Sequence, residues 1–192
     1  MHTNHYALEI AAASTDIERS RELTRTLGGT LYVDAREDHQ QLPFRALVTV
    51  TTDDIAPVAS VADVGLYVIC RRLIKPGMPA VIGLFPLVHH PDLTHAEADA
   101  HWRDRHAPLA LEHHAFMTHY TQLSVVHRIA GLDLDGFALC GFASIDDLRN
   151  KFYTGDASRA VIADDVQRFA DTHRSPRRLI VEETRFAVGE RA

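Results

Sequence analysis

One breaker cluster, Lys75-Pro-Gly-Met-Pro79, divides the 192-residue chain into two stretches that repeat the same order of predicted elements. Before it, Tyr6–Ala13 (YALEIAAA) reads as a strand. Thr15-Asp-Ile-Glu18 has the spacing of a capping box, in which the Thr hydroxyl and the Glu side chain satisfy each other's backbone amides, and opens a helix. Gly28-Gly29 is a left-handed stop for that helix. Strands follow at Thr30–Ala35 and Phe44–Thr51, separated by a polar loop over Glu37–Pro43. A weak helix covers Asp53–Asp63, with Pro57 tolerated only in its first turn, and Gly65–Ile74 is a fourth strand. The order β-α-β-β-α-β is that of a ferredoxin-like unit.

After the cluster the pattern restarts. Ala80–Val88 is a strand, and Thr94-His-Ala-Glu97 is a second capping box opening a helix to about His106. Pro108 bends or restarts that helix, which continues over Leu109–Phe116. His119–Arg128 and Gly136–Ala143 are strands. Ser144 caps a helix with Ile145, Leu148 and Phe152 on one face. A segment after Gly155 carries Ile162, Val166 and Phe169 at helical spacing, and Arg178–Val188 closes with a strand. The predicted fold class is therefore α+β. It comprises two tandem ferredoxin-like units, residues 1–76 and 77–192, each with a bare sheet face to bury. Packing the two sheets face to face makes a single-chain, pseudo-dimeric α+β barrel; two separate domains are the alternative.

Composition narrows the function classes. Lys plus Arg number 20 against 26 Asp plus Glu, a net charge of −6, with no basic run. Nucleic acid and anionic membrane surfaces are therefore not expected partners. No stretch approaches the roughly 20 apolar residues of a membrane span. The start carries no basic segment followed by an apolar one, so a cytoplasmic protein is expected. Cys70 and Cys140 sit in apolar runs as small hydrophobes, giving neither a disulfide framework nor a zinc pattern. The outlier is histidine: 13 in all, nine of them between His89 and His127, where average usage puts about one.

The second stretch also carries recognisable pieces: the strand AVIGLFPLV, the Leu93-Thr94 helix start, and His101-Trp-Arg-Asp-Arg-His-Ala-Pro-Leu109. Tyr120-Thr-Gln122 with Val125, Asp135-Gly136-Phe137-Ala138, and Asp164–Asp171 follow in order. Together they resemble the EthD-domain family of the dimeric α+β barrel superfamily, with Trp102, His106, Pro108 and Leu109 in register with the family's helix. Val88-His89-His90 stands where the family usually has Lys or Arg. The first stretch carries none of these motifs and reads as a degenerate copy, standing in for the second subunit of a family dimer. The resemblance implies a small protein of catabolic or polyketide-like pathways.

On the predicted helix His95, Trp102 and His106 share a face, at offsets of seven and four, whereas His101 lies around the helix toward solvent. His106, at the edge of the core near Trp102, can take or give a proton near pH 7, or can merely hold the bend at Pro108. Tyr120 and Gln122, two apart on one strand, share a face and can polarise a carbonyl or stabilise an oxyanion. His89 and His90, adjacent at a strand end, point to opposite faces, and either is a rival base. Trp102 and Phe85 are the candidate apolar walls. No His-x₃-His pair occurs on a helix, and the five-residue step from His101 to His106 does not return to one face. No metal is expected from such spacing. Haem serves other branches of the superfamily, but no single axial histidine stands out here.

These residues predict a small enzyme without a cofactor. It would bind a hydrophobic or aromatic small molecule in the barrel cavity and carry out His-assisted proton transfer of cyclase, decarboxylase, dehydratase or isomerase type. The catalytic candidates are His106, Tyr120, His89 and His90, with Gln122, Trp102 and Phe85 binding substrate. The alternatives are a non-catalytic ligand-binding or accessory module of an oxygenase system, and a metal- or haem-dependent oxidoreductase. Homodimerisation is an open expectation.

Overall fold

The computed structural model describes residues 8–36 and 42–189. The expected strand residues Tyr6 and Ala7 and most of the Glu37–Pro43 loop lie outside the described residues. In the first stretch β1 (Leu8–Ser14), α1 (Ile17–Leu27), β2 (Gly29–Asp34), β3 (Ala46–Val50), α2 (Ala56–Ala59) and β4 (Gly65–Lys75) follow one another. The second stretch has β5 (Val81–Leu87) and a helical run of α3 (His95–His101), a π-turn (Trp102–His106) and α4 (Ala107–His113). It continues with β6 (Met117–Gly131), β7 (Gly136–Phe142), α5 (Ile145–Asn150), α6 (Asp156–Phe169) and β8 (Leu179–Phe186).

The eight strands form one closed barrel in the order β1-β3-β2-β8-β5-β7-β6-β4, antiparallel throughout. Each stretch contributes a run of four neighbours with the same internal order, β4-β1-β3-β2 and β8-β5-β7-β6. The expectation of two sheets laid face to face is corrected here: their edges pair, β4 with β6 and β2 with β8. The physical reason is that a sheet edge is a row of unpaired N–H and C=O groups, and closure removes every edge.

Closure also decides where a ligand can go. Alternate residues of all eight strands point inward and fill the barrel, among them Tyr32, Leu47, Tyr67, Ile69, Phe137 and Leu139. Tyr67 and Phe44 meet Phe137 edge-on, with ring centroids 5.6 and 6.1 Å apart. The middle of the barrel is thus packed with side chains. A polar recess of about 350 Å³ opens at one end of it among Glu9, Thr49, Arg71, His119 and Thr121, and a separate apolar cavity lies outside the barrel, under the helices of the second stretch. The outward faces carry two further layers. On the first stretch α1 and α2 cover Ala12, Leu31, Val48 and Leu66 with Leu23, Val58 and Val61. On the second, α3 to α6 cover β5, β7, β6 and β8.

Two helix starts with the same Thr-x-x-Glu signature behave differently. Thr94 caps α3 as expected, with Glu97 closing the capping box. Thr15 does not cap α1: its amide and hydroxyl both bond the Asp63 carboxylate, so Asp16 takes the cap and accepts from the Arg19 amide. Cys140 is buried as expected, but Cys70 is half-buried, near the β4–β6 seam.

Pro108 does not break the helix. The turn before it widens, so the Ala107 amide bonds the Trp102 carbonyl five residues back. A proline clashes with the carbonyl four residues before it and offers no N–H. The wider π-turn accommodates both faults, and π-turns of this kind recur at functional sites.

Candidate functional site

The π-turn changes which side chains meet. In a regular helix residues five apart diverge; here His101 and His106 converge on one carboxylate of α6. His106 Nδ1 lies 2.8 Å from Asp165 Oδ2, and His101 Nε2 lies 2.8 Å from Asp165 Oδ1. His101, expected in solvent, is therefore drawn inward. Phe169, one turn on from Asp165, packs against both rings, with centroids 5.2 and 5.0 Å away. Burial opposes ionisation of Asp165, but hydrogen bonds from His106 and His101 outweigh it and hold the carboxyl below its usual range. An ionised Asp165 only accepts, so the proton sits on His106 Nδ1 and the free nitrogen is Nε2.

The His106 ring lines a cavity of about 290 Å³ between the second sheet and its helices. Strand residues Phe85, Leu87, Tyr120, Ala138 and Cys140 form its floor. Trp102, His114, Phe152, Ile162 and Phe169 are among the side chains that roof it. Burial pushes the Cys140 thiol up to about 12, so it is a neutral wall group. His114 is a second imidazole in the lining. Burial, opposed only by its bond to the Phe152 carbonyl, pushes it down to about 4. It is therefore neutral at pH 7.

Tyr120, Gln122 and Trp102 are tied into one unit. The Tyr120 hydroxyl accepts from Trp102 Nε1 at 3.0 Å and from Gln122 Nε2 at 3.1 Å. Both lone pairs are thereby used, which leaves the hydroxyl proton as its remaining function. Burial raises the phenol above its ordinary value, so it stays a donor. Gln122 is wholly buried, does not line the cavity, and spends its amide on Tyr120 and the Trp102 carbonyl.

The rival bases stand apart. His89 Nδ1 bonds Asp135 Oδ2 at 2.8 Å, and His95 Nδ1 bonds the other oxygen at 2.7 Å. This second His–Asp–His group flanks a space of only about 10 Å³ beside Trp102. His90 Nδ1 accepts from the Asp92 amide in a turn. Of the expected site residues, the structure brings His106, Tyr120, Trp102 and Phe85 to the cavity and leaves His89, His90 and Gln122 outside its lining.

Sequence reasoning missed Asp165, His114 and Arg72. Asp165 lay inside a quoted motif, but the π-turn that aims two histidines at it has no sequence period. Arg72, on β4 of the first stretch, crosses the seam to the Asp99 carboxylate, at 3.1 and 2.5 Å, and lies over the Trp102 ring at 5.4 Å. Ser124 joins the same carboxylate at 2.6 Å. Among the described residues no group of three or more His, Cys, Asp or Glu is arranged to hold a metal ion. No helix among them is long and apolar enough to cross a membrane.

Comparisons with known proteins show what the chain is similar to. The family model of the EthD domain matches residues 90–173, a span that contains His101, His106 and Asp165. That segment is similar to an EthD domain. No curated protein matches the chain. A crystal structure of a candidate monooxygenase from Lactobacillus acidophilus NCFM superposes with a TM-score of 0.51 at 10% identity, over 95% of this chain and 96% of that one. An anthrone oxidase-like protein superposes with a TM-score of 0.50 at 10% identity, over 96% and 94%. Both likenesses are of fold, the dimeric α+β barrel. They span the whole barrel and not the EthD segment alone.

Proposed function

We propose that this protein is a small enzyme that binds an apolar or aromatic molecule in the cavity of its EthD segment and moves a proton with His106. The carrying observation is the His106 ring in an apolar cavity with Nδ1 held by the Asp165 carboxylate. A carboxylate on Nδ1 fixes the tautomer, leaves Nε2 as the base, and stabilises the imidazolium that forms. Tyr120 donates its hydroxyl proton to the oxygen on which charge develops, and Trp102 and Phe85 hold the apolar body. Enolisation-type chemistry of this kind underlies cyclase, decarboxylase, dehydratase and isomerase reactions alike. None of these roles requires a cofactor. In this reading the chain is two fused ferredoxin-like units, 1–76 and 77–192. The first supplies the partner sheet and Arg72, and the second supplies the site.

The two similar structures, a candidate monooxygenase and an anthrone oxidase-like protein, favour one further version. Abstraction of a proton from an activated carbon leaves an electron-rich carbanion, the species that dioxygen oxidises. The same dyad then serves an oxygenase.

Anthrone, a ketone with an acidic methylene, tests both. In D₂O under nitrogen the protein should accelerate exchange of the methylene protons, read by NMR. With oxygen admitted, oxygen uptake distinguishes the oxygenase version. His106→Gln should lower the exchange rate by about 10²–10⁴-fold. An unchanged rate in a variant with the parent's circular dichroism removes the assignment.

A further inference from the structure

Beside the apolar cavity lies a second space, of about 420 Å³, with a different character. It shares the rings of Phe85, Phe152 and Tyr153 with the cavity, and beyond them it is lined by Arg149, Arg159 and Arg178. Three cations in one recess are out of keeping with a chain whose net charge is −6. The lining also contains one carboxylate, Asp156, in the first turn of α6, where a helix dipole favours an acid.

The arginines are not spent within the protein. Arg178 lies over the Phe85 ring at 5.6 Å, and Arg159 lies over the Tyr153 ring at 5.2 Å. Stacking on a ring face uses the guanidinium's flat side and leaves its N–H edge free. Among the described residues no carboxylate or carbonyl accepts from the side chain of Arg149, Arg159 or Arg178. Arg178 is half-buried. Its burial, with the nearby charges of Arg36 and Arg149, lowers its proton affinity below the usual arginine value. A partly desolvated cation among like charges is unfavourable until an anion joins it.

We propose that this recess binds an oxyanion, carboxylate or phosphate, carried on one end of the apolar molecule whose body fills the neighbouring cavity. The inference rests on the functional reading above and adds the charge of the substrate. Arg178 is the central anchor, because it is half-buried and stacked against a ring that the two spaces share. Arg149 and Arg159, exposed at the rim, draw the anion in and complete its neutralisation. The planar forks match the paired oxygens of carboxylate and phosphate. An acid head held there leaves the apolar end in the space lined by His106 and Tyr120.

The single tryptophan, Trp102, lines the cavity and reports its occupancy by fluorescence. Octanoate, octyl phosphate and octan-1-ol share one apolar tail and differ only in the head. Titrated into the full chain at pH 8, one or both anions should bind at least about tenfold more tightly than the alcohol, the margin of a charge-assisted hydrogen bond. The preferred anion identifies the head group. Arg178→Gln should remove the preference while leaving octan-1-ol binding unchanged, and Arg178→Lys should restore part of it. The Arg149→Gln/Arg159→Gln double variant should reduce both the preference and its salt dependence. Equal binding of alcohol and anions, or a preference that survives Arg178→Gln, overturns the inference and leaves the cavity reading standing. Failure of all three probes to perturb Trp102 removes both the cavity reading and the inference.

Discussion

Two helix layers sit on one barrel. They cover sheets of identical strand order, yet one is solid and the other hollow. On the first stretch the 11-residue α1 and the four-residue α2 lie close to the sheet, and Leu23, Val58 and Val61 close the layer over small strand residues such as Ala12 and Ala46. On the second stretch four helices and a π-turn stand over the sheet. Their aromatic and imidazole rings are too large and too tethered to collapse into the space between. The π-turn, the two His–Asp–His groups and the Arg72–Asp99 pair hold this layer open from the sides. Strand order therefore does not choose which layer becomes a site. The side chains that prop the helices away from the sheet do.

The largest expected effect sharpens that contrast. Asp165→Asn should lower the anthrone exchange rate by about 10²-fold or more, with little change in ligand affinity read by Trp102. Leu23→Ala, at a buried position in the other layer, should leave exchange unchanged and cost about 2–5 kcal/mol in chemical denaturation. Equal effects of both on exchange would mean that the contrast is only one of stability.

The layers should also differ in their response to pH. The described residues of the first stretch contain no histidine. In the second, His114 is held near 4 against an ordinary 6.5. Between those values the unfolded chain binds a proton that the folded chain refuses, so stability falls as pH falls from 6.5 to 4. The loss is on the order of 3 kcal/mol. His119, lowered mainly by burial, acts in the same direction. His95, raised mainly by its bond to Asp135, does the opposite: its contribution is complete below 6.5 and is lost as pH rises through its raised value. Urea unfolding of His114→Gln across pH 4–7 should show a flattened slope. An unaltered slope would place the titration elsewhere.

A smaller effect comes from one substitution made in both layers. Ala12→Leu overpacks the first layer and should cost about 1–3 kcal/mol. Ala138→Leu grows into the cavity. It should leave stability unchanged or raise it by about 0.5–2 kcal/mol, while abolishing octan-1-ol binding. The smallest concerns the two Thr-x-x-Glu signatures. Thr94→Ala should cost about 1 kcal/mol through the lost cap. Glu18→Ala should stay within about 0.5 kcal/mol, because Asp16 already caps α1.

Much of the barrel was legible because its strands and helices carry their own periods and punctuation. The breaker cluster at 75–79, the Thr94 and Ser144 caps and the Gly155 break all mark real boundaries. What could not be read were relations between elements. The edge pairings β2–β8 and β4–β6 leave no local signal, so the barrel was expected from two sheets packed face to face and not from paired edges. Pro108 was visible as a disturbance, but its resolution into a π-turn depends on the helix being held at both ends. His101 consequently looked solvated, and Asp165 looked like one more acid on an amphipathic helix. His106, Tyr120 and Trp102, which line the cavity, fall on motif positions. His89 and His90 lie outside that lining, and adjacency at a strand end gives no sign of which group captures a ring.

The β2–β8 pairing joins Tyr32 to Glu183, two segments far apart along the chain. During synthesis the first four strands emerge with both outer edges open, and the β2 edge waits until β8 has been made. A ring that can shut only when β8 arrives leaves that exposed edge, until then, as the point most vulnerable to mispairing.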